Sequence, residues 1–173
     1  MRHTAFGTAH PALRSPTLLW VLLAFISLAL IAAPAEAAKK VKVKMSTTAA
    51  EAINPDYQGR PSPVNVIVFQ LASPDAFSNA DFFSLFDAES GVLGGDLLGR
   101  TQMLLKPGEV RDWDAEFDSE TRYVGVVAAY RDIENAQWRS MIELPKRGLV
   151  RRLFKKSKLR VDVGELAVSI NIK

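Results

Sequence analysis

The stretch VNVIVFQL, from Val64 to Leu71, decides the fold class of this chain. Side chains of a β-strand alternate between two faces, and here one face carries valines while the other carries Ile67, Phe69 and Leu71. A strand with two apolar faces is covered on both sides. The run YVGVVAAY, from Tyr123 to Tyr130, has the same character, so we predict two central strands in a packed sheet.

Shorter alternating segments surround these two strands. Val41, Val43 and Met45 alternate with lysines, which predicts a first strand over 40–53. Further strands are predicted over 102–105, 110–117, 137–144 and 168–172, with a Pro-Gly turn at 106–109. Short strands separated by frequent turn signals are typical of a sandwich. We therefore expect a mainly β fold, an antiparallel two-sheet sandwich, in a single domain over 38–173.

A short helical insert is predicted over about 73–99. Ser73, Pro74 and Asp75 suit a helix start, and a second start is predicted at Ser78 with Asp81 as a capping-box partner. Large apolar residues then follow at helical spacing until Gly99, namely Phe82, Phe83, Leu85, Phe86, Leu93, Leu97 and Leu98. We predict that they pack on the second face of Val64–Leu71 and do not line a ligand pocket.

The first 37 residues have the pattern of an export signal. Residues 1–16 carry Arg2 and Arg14, Thr17–Ala33 is apolar and uncharged, and Ala35-Glu36-Ala37 fits signal peptidase cleavage. The alternative is an uncleaved anchor, although Thr17–Ala33 as a helix would reach only about 26 Å, at the short end for a bilayer core. Either interpretation exports the domain.

Composition excludes several kinds of chemistry. The 173-residue chain has no cysteine, and its two histidines, His3 and His10, both precede the apolar run. Ser-His-Asp and Cys-His catalysis, a Cys/His zinc site and disulfides all need side chains that the predicted domain lacks. A formal charge of +3 does not indicate nucleic-acid binding. We predict a protein that is not an enzyme, needs no cofactor or metal and binds no nucleic acid or small-molecule substrate.

Two charged features leave alternatives open. Asp112, Asp114 and Glu116 share one strand face, which is either solvated or a place for calcium or a glycosidase pair. The segment KRGLVRRLFKKSKLR, over 146–160, is rich in basic residues and contains no acid. It is either an exposed connection or a helix that contacts a membrane surface through Arg151, Arg152, Lys155, Lys156 and Lys158.

Several motifs, in this order, resemble the TssJ (SciN-like) family of the bacterial type VI secretion system. They are AINPDYQGRPSPVNVIVFQL, ADFFSLF, DLLGR, LKPGE, YVGVVAAYRD and WR, and they span Ala52 to about Leu144. The resemblance implies a transthyretin-like sandwich with an added helical element. It also implies a periplasmic subunit of the trans-envelope complex that binds the periplasmic C-terminal region of TssM, alongside other envelope subunits.

In that family the partner contact is attributed to the loop between the first two strands. The matching residues are Asn54, Pro55, Asp56, Tyr57, Gln58, Gly59, Arg60, Pro61, Ser62 and Pro63. Three prolines reduce the entropy lost when this loop binds, and Tyr57 and Arg60 are of the type that forms hot spots. The alternative is that the prolines and Gly59 merely close a tight connection.

One departure from the family concerns the anchor. Its members are characteristically outer-membrane lipoproteins, and a chain without cysteine cannot be acylated at a mature N-terminal cysteine. A separate envelope protein, the uncleaved N-terminal segment or the basic segment would then hold the protein at a membrane. The alternative functions are a transthyretin-like small-ligand carrier, a general envelope interaction module and, more remotely, a hydrolase.

Overall fold

Two four-stranded sheets account for the described part of the chain, which comprises residues 39–145 and 158–173 of a computed structural model. One sheet has the strand order β4-β1-β7-β8 and the other β3-β2-β5-β6. The strands are β1 Lys40–Ala49, β2 Val64–Leu71, β3 Leu97–Leu105, β4 Val110–Asp118, β5 Tyr123–Ala129, β6 Arg139–Glu143, β7 Leu159–Val163 and β8 Val168–Ile172. The predicted mainly β sandwich is confirmed.

One strand pair departs from the antiparallel arrangement expected. β1 and β7 run parallel, with Met45 opposite Leu159 and Ala49 opposite Val163. Parallel neighbours need a long crossover connection, and β2 to β6 lie between these two strands in the chain. The strand β7 was not predicted, because Leu159 and Arg160 were assigned to the basic segment.

The main core lies between the sheets and contains the valine face of β2. Val64, Val66 and Val68 are at most 2% exposed and pack with residues of both sheets, including Met45 and Leu159. Val66 is fully buried, and so is Ile67 on the opposite face of the strand. The two apolar faces of this strand therefore enter two different clusters, as the sequence predicted.

The second cluster is formed by β2 and the helical insert. Three short helices make up the insert: α1 Asp75–Asn79, α2 Phe82–Asp87 and α3 Glu89–Leu93, followed by a 3-10 turn at Gly94–Asp96. Ile67, Phe69 and Leu71 of β2 pack with the insert residues Phe77, Leu85 and Leu93. The insert therefore covers the sheet, which confirms the predicted packing.

The limits of the insert differ from those predicted. Leu97 and Leu98 continue the helical spacing but belong to β3, because they follow the turn into pairing with β2. The cap of α2 is Asp81 itself, whose Oδ1 accepts a hydrogen bond from Ser84 N at 3.0 Å, and not Ser78. Phe83 is 65% exposed, so the buried apolar face is narrower than expected.

A close approach places the insert on β5. The ring of Phe77 lies against Gly125, where an added Cβ would be 2.6 Å from Cζ of that ring. Phe77 also packs on Phe69, with ring centroids 5.7 Å apart. Arg139 of β6 donates hydrogen bonds from Nη1 to the carbonyls of Phe77 and Ala80, at 3.1 and 2.8 Å. The missing side chain of Gly125 thus leaves the space that the Phe77 ring of the insert occupies.

A buried glutamine joins the two sheets at one edge. Gln70 of β2 donates from Nε2 to the carbonyl of Glu116 at 3.1 Å, and its Oε1 accepts from Asp118 N at 2.9 Å. Both partners belong to the edge strand β4. Gly99 leaves room for this amide, since a Cβ there would be 2.9 Å from the Gln70 side chain. Both the nitrogen and the oxygen of the Gln70 amide are therefore hydrogen-bonded to β4.

Two predicted segments fall outside the described residues. These are the signal peptide over 1–37 and most of the basic segment, including Arg151, Arg152, Lys155 and Lys156. Among residues 39–145 and 158–173, none of the helices is both long enough and apolar enough to cross a membrane.

Candidate functional site

The predicted partner loop connects β1 to β2 at one end of the sandwich. Its base is anchored, because Ile53 is fully buried and its carbonyl accepts a hydrogen bond from Ser62 N at 3.1 Å. At its tip Tyr57 is 92% exposed, and Gln58 Nε2 donates to the Tyr57 hydroxyl at 3.2 Å. The loop therefore presents a large amphipathic side chain from a fixed base.

Asp56 holds the tip of the loop in one conformation. Its Oδ1 accepts hydrogen bonds from the backbone amides of Gln58 and Arg60, at 2.8 and 3.0 Å. Its Oδ2 accepts from Nε and Nη2 of Arg60, each at 2.8 Å. Gly59 completes the turn with a left-handed φ of +77°. The hydrogen bonds from the backbone and side chain of Arg60 hold the pKa of Asp56 below its ordinary value.

Asn54 links this loop to two other turns. The residue is 3% exposed and has a left-handed φ of +46°. Its backbone amide donates to the carbonyl of Glu165 at 3.0 Å, and its Nδ2 donates to the carbonyl of Pro63 at 2.8 Å. Its Oδ1 accepts from Arg131 N at 2.8 Å. The β1–β2 loop, the β5–β6 turn and the β7–β8 turn are therefore joined through one buried residue.

An open recess lies where these three turns meet. It is lined by Pro55, Asp56, Tyr57, Arg60, Arg131, Asp132 and Leu166. Four of these residues belong to the predicted loop, whereas Gln58, Gly59, Pro61, Ser62 and Pro63 do not line the recess. The other three lining residues, Arg131, Asp132 and Leu166, were not predicted from the sequence. Arg131 and Asp132 do end the motif YVGVVAAYRD, but nothing local in the sequence marks Leu166.

Two of the three acids in the row on β4 contact lysines. Asp112 Oδ2 accepts from Lys158 Nζ at 2.9 Å, and Glu116 lies 3.8 Å from Lys40 Nζ. The hydrogen bond from Lys158 holds the pKa of Asp112 below its ordinary value. Within residues 39–145 and 158–173, no three His, Asp or Glu side chains are close enough to hold a metal ion. Lys158, which we predict to contact a membrane, is hydrogen-bonded to Asp112 on its own sheet.

Comparison with known proteins identifies related sequences and folds. The profile of a family described as type VI secretion lipoprotein, with the member names SciN, VasD, EvfM and TssJ, matches residues 41–166. The crystal structure of the type VI secretion lipoprotein TssJ1 from Pseudomonas aeruginosa is 33% identical, with a TM-score of 0.68, and the match covers 78% of this chain and 98% of that one.

Two further solved structures have the same fold. Lip from Serratia marcescens, a membrane-bound component of the type VI secretion system, is 26% identical with a TM-score of 0.67, over 75% of this chain and 96% of that one. A chain from a structure described as the TssM C-terminal domain (869-1107) from EAEC is 23% identical with a TM-score of 0.60, over 77% of this chain and 98% of that one. No curated protein sequence matches significantly.

Proposed function

Because this chain belongs to the SciN/TssJ family of type VI secretion proteins, we propose that it is a non-enzymatic subunit of the trans-envelope complex and that it binds the C-terminal domain of TssM through the β1–β2 loop. The family is a structural component of the envelope on the periplasmic side and is not known as an enzyme family. A chain with this fold occurs in a structure of the TssM C-terminal domain, which supports that domain as the partner.

The observation that carries the proposal is the exposure of Tyr57 on a preorganised loop. A tyrosine that is 92% exposed in the free protein has most of its surface available for burial by a partner. The hydrogen bonds of Asp56 and Asn54 fix the backbone on both sides of it, so little conformational entropy is lost when the partner binds. The alternative of a small-ligand carrier is less well supported, because, among the described residues, both faces of β2 pack against other buried side chains and leave no room there for a ligand.

The test is the substitution Tyr57→Ala in the full chain, produced in cells and purified from the envelope fraction in mild detergent. We expect its affinity for the TssM C-terminal domain, measured by calorimetry, to fall by about 2 kcal/mol or more. The thermal melting midpoint should stay near that of wild type, since Tyr57 has almost no buried surface to lose.

Phe83→Ala provides the matched control, because Phe83 is an aromatic residue that is 65% exposed and lies on α2 of the insert, which follows the opposite end of β2 from the loop. Its affinity should equal that of wild type. An unchanged affinity for Tyr57→Ala would remove the loop tip from the interface. Arg60→Ala is a poorer test, because Arg60 holds Asp56 and its loss would disturb the loop itself.

We also propose that residues 1–37 direct export and that the domain works on the periplasmic side of the envelope. Without a cysteine to acylate, the protein needs another attachment, and the basic segment over 146–160 is our candidate for contact with anionic lipid. The lipoprotein character of the family supports the compartment, and the density of basic residues supports the attachment.

A further inference from the structure

We propose that the β1–β2 loop is one part of a composite surface, and that Arg131 and Arg60 at its recess bind a carboxylate carried by an extended segment of the partner. This inference rests on the proposed function and deepens it, since it names the chemistry that the site recognises. It assigns a binding role to Arg131, which lies 68 residues beyond the end of the loop in sequence and outside the predicted interface.

The three turns act as one platform because Asn54 joins them. Its bonds to Glu165 O, Pro63 O and Arg131 N are between 2.8 and 3.0 Å long, and the residue is buried. The bond to Arg131 is made by the backbone amide, so the side chain of Arg131 takes no part in holding the platform together. A partner that touches the loop therefore meets Arg131 on a backbone that is held at a fixed place beside the loop.

The recess offers more free hydrogen-bond donors than free acceptors. Both carboxylate oxygens of Asp56 are occupied by Gln58 and Arg60. Both oxygens of Asp132 accept from Asn135 Nδ2, at 2.9 and 3.0 Å. The acids that line the recess thus already have partners within the domain.

The two guanidinium groups retain free donors. Arg60 directs Nε and Nη2 at Asp56, which leaves Nη1 for another acceptor. The only hydrogen bond of Arg131 found among residues 39–145 and 158–173 is made by its backbone amide, and its guanidinium acts on Asp56 only through charge, which helps to lower the pKa of that carboxyl. A guanidinium has donors and no acceptor, so its complement is an acceptor such as a carboxylate, which it binds in a planar, two-pronged manner.

The rest of the recess is suited to an apolar neighbour of that carboxylate. The ring of Tyr57 is exposed, and Pro55 and Leu166, which also line the recess, are partly accessible. Because the recess is open, it suits two neighbouring side chains of an extended segment better than a small molecule that must be enclosed. The partner segment is therefore an acidic residue next to an apolar one.

The first experiment compares substitutions at the two ends of β5. Arg131→Glu in the full chain should weaken binding of the TssM C-terminal domain by about tenfold or more, because a carboxylate on the partner would then face a like charge. Arg131→Lys should retain part of the affinity, since it keeps the charge but loses the planar fork. Arg122→Glu, with the same charge change at the opposite end of β5, should bind like wild type.

The salt dependence provides a second readout. Wild-type affinity should fall as salt rises from about 0.05 to 0.5 M, and Arg131→Gln should show a smaller fall, because one screened charge pair is missing. Equal affinities of the wild type, Arg131→Glu and Arg122→Glu would overturn the inference. Equal losses in Arg131→Glu and Arg122→Glu would also overturn it, since the effect would then come from net charge alone.

A peptide probe separates this inference from the proposed function. Two capped peptides that differ only by Glu or Gln beside a leucine are titrated into the nitrogen-15-labelled full chain and followed by NMR. The Glu peptide should shift the signals of Arg131 Nε and Tyr57, and the Gln peptide should bind several times more weakly. If wild type fails to bind TssM but discriminates between the peptides, only the proposed partner is wrong. If the two peptides behave alike, the carboxylate site is wrong whatever TssM does.

Discussion

Replacing Gly125 with alanine should push the helical insert away from the sheet. The new methyl group would lie 2.6 to 3.0 Å from three atoms of the Phe77 ring, closer than real Cβ contacts allow. The ring cannot simply move aside, because it is 1% exposed and packs on Phe69. The clash must therefore be relieved by displacement of α1.

The expected cost follows from two opposing terms. Overpacking a well-filled core costs about 1 to 3 kcal/mol. Alanine in a strand gains about 0.5 to 1 kcal/mol over glycine by losing less backbone entropy. Because the new methyl group clashes with three ring atoms, the upper part of the overpacking range applies, and we expect Gly125→Ala to lower the free energy of unfolding by about 1 to 2.5 kcal/mol. Phe77→Ala, which empties the same place, should lower it by about 3 to 5 kcal/mol.

The double variant tests whether the ring and the glycine truly share one space. With the ring gone, the methyl group of Ala at 125 has room, so the double variant should lose about 1 to 3 kcal/mol less than the sum of the single losses. The assay is urea unfolding of the full chain followed by tryptophan fluorescence, because Trp138 packs on Phe82 of the insert. Midpoints are compared at equal m values.

Gly91→Ala is the matched control, since a Cβ at that helical position has no neighbour within 4 Å. It should be neutral or slightly stabilising. Wild-type stability of Gly125→Ala would refute the packing argument. Strict additivity of the two single losses, within about 0.5 kcal/mol, would do so as well.

Two further predictions concern the loop and the basic segment. Because the pKa of Asp56 is lowered in the fold, its carboxylate stabilises the protein above its ordinary pKa of 3.8, and this contribution is lost as the pH falls below that value. The melting midpoints of wild type and Asp56→Asn should therefore differ at pH 6 and converge at lower pH; a constant difference would contradict the assignment. Replacing Arg151, Arg152, Lys155 and Lys156 by glutamine should reduce cosedimentation of the exported protein with anionic vesicles at about 0.05 M salt, where charges are weakly screened. Neutral vesicles are the control, and equal sedimentation of both proteins would leave the segment as a solvated connection.

Local patterns were sufficient to predict the parts of the fold that depend on burial. The two apolar faces of Val64–Leu71 required cover on both sides, and the structure places one face in the intersheet core and the other under the insert. The loop over 54–63 was predicted from its prolines, which cannot continue a ladder of backbone hydrogen bonds.

Features that depend on tertiary pairing were not predictable in this way. Leu97 and Leu98 have helical spacing, yet pairing with β2 makes them part of a strand, since context overrides local preference. The alternation of Leu159–Val163 was hidden by the basic residues before it, and its parallel partner β1 is distant in sequence. Arg131 and Leu166 reach the recess only through the sheet order, which no single segment encodes.

The amide of Gln70 has a consequence for how copies of this protein behave when crowded together. An edge strand offers unpaired peptide groups on which another chain can polymerise as an added strand. Here a side-chain amide occupies that position at Glu116 and Asp118 with the same donor and acceptor as a peptide unit. A neighbouring molecule must first displace this side-chain amide before its own backbone can pair with Glu116 and Asp118. One glutamine thus protects the C-terminal end of β4 against self-templated aggregation without adding a strand to the sheet.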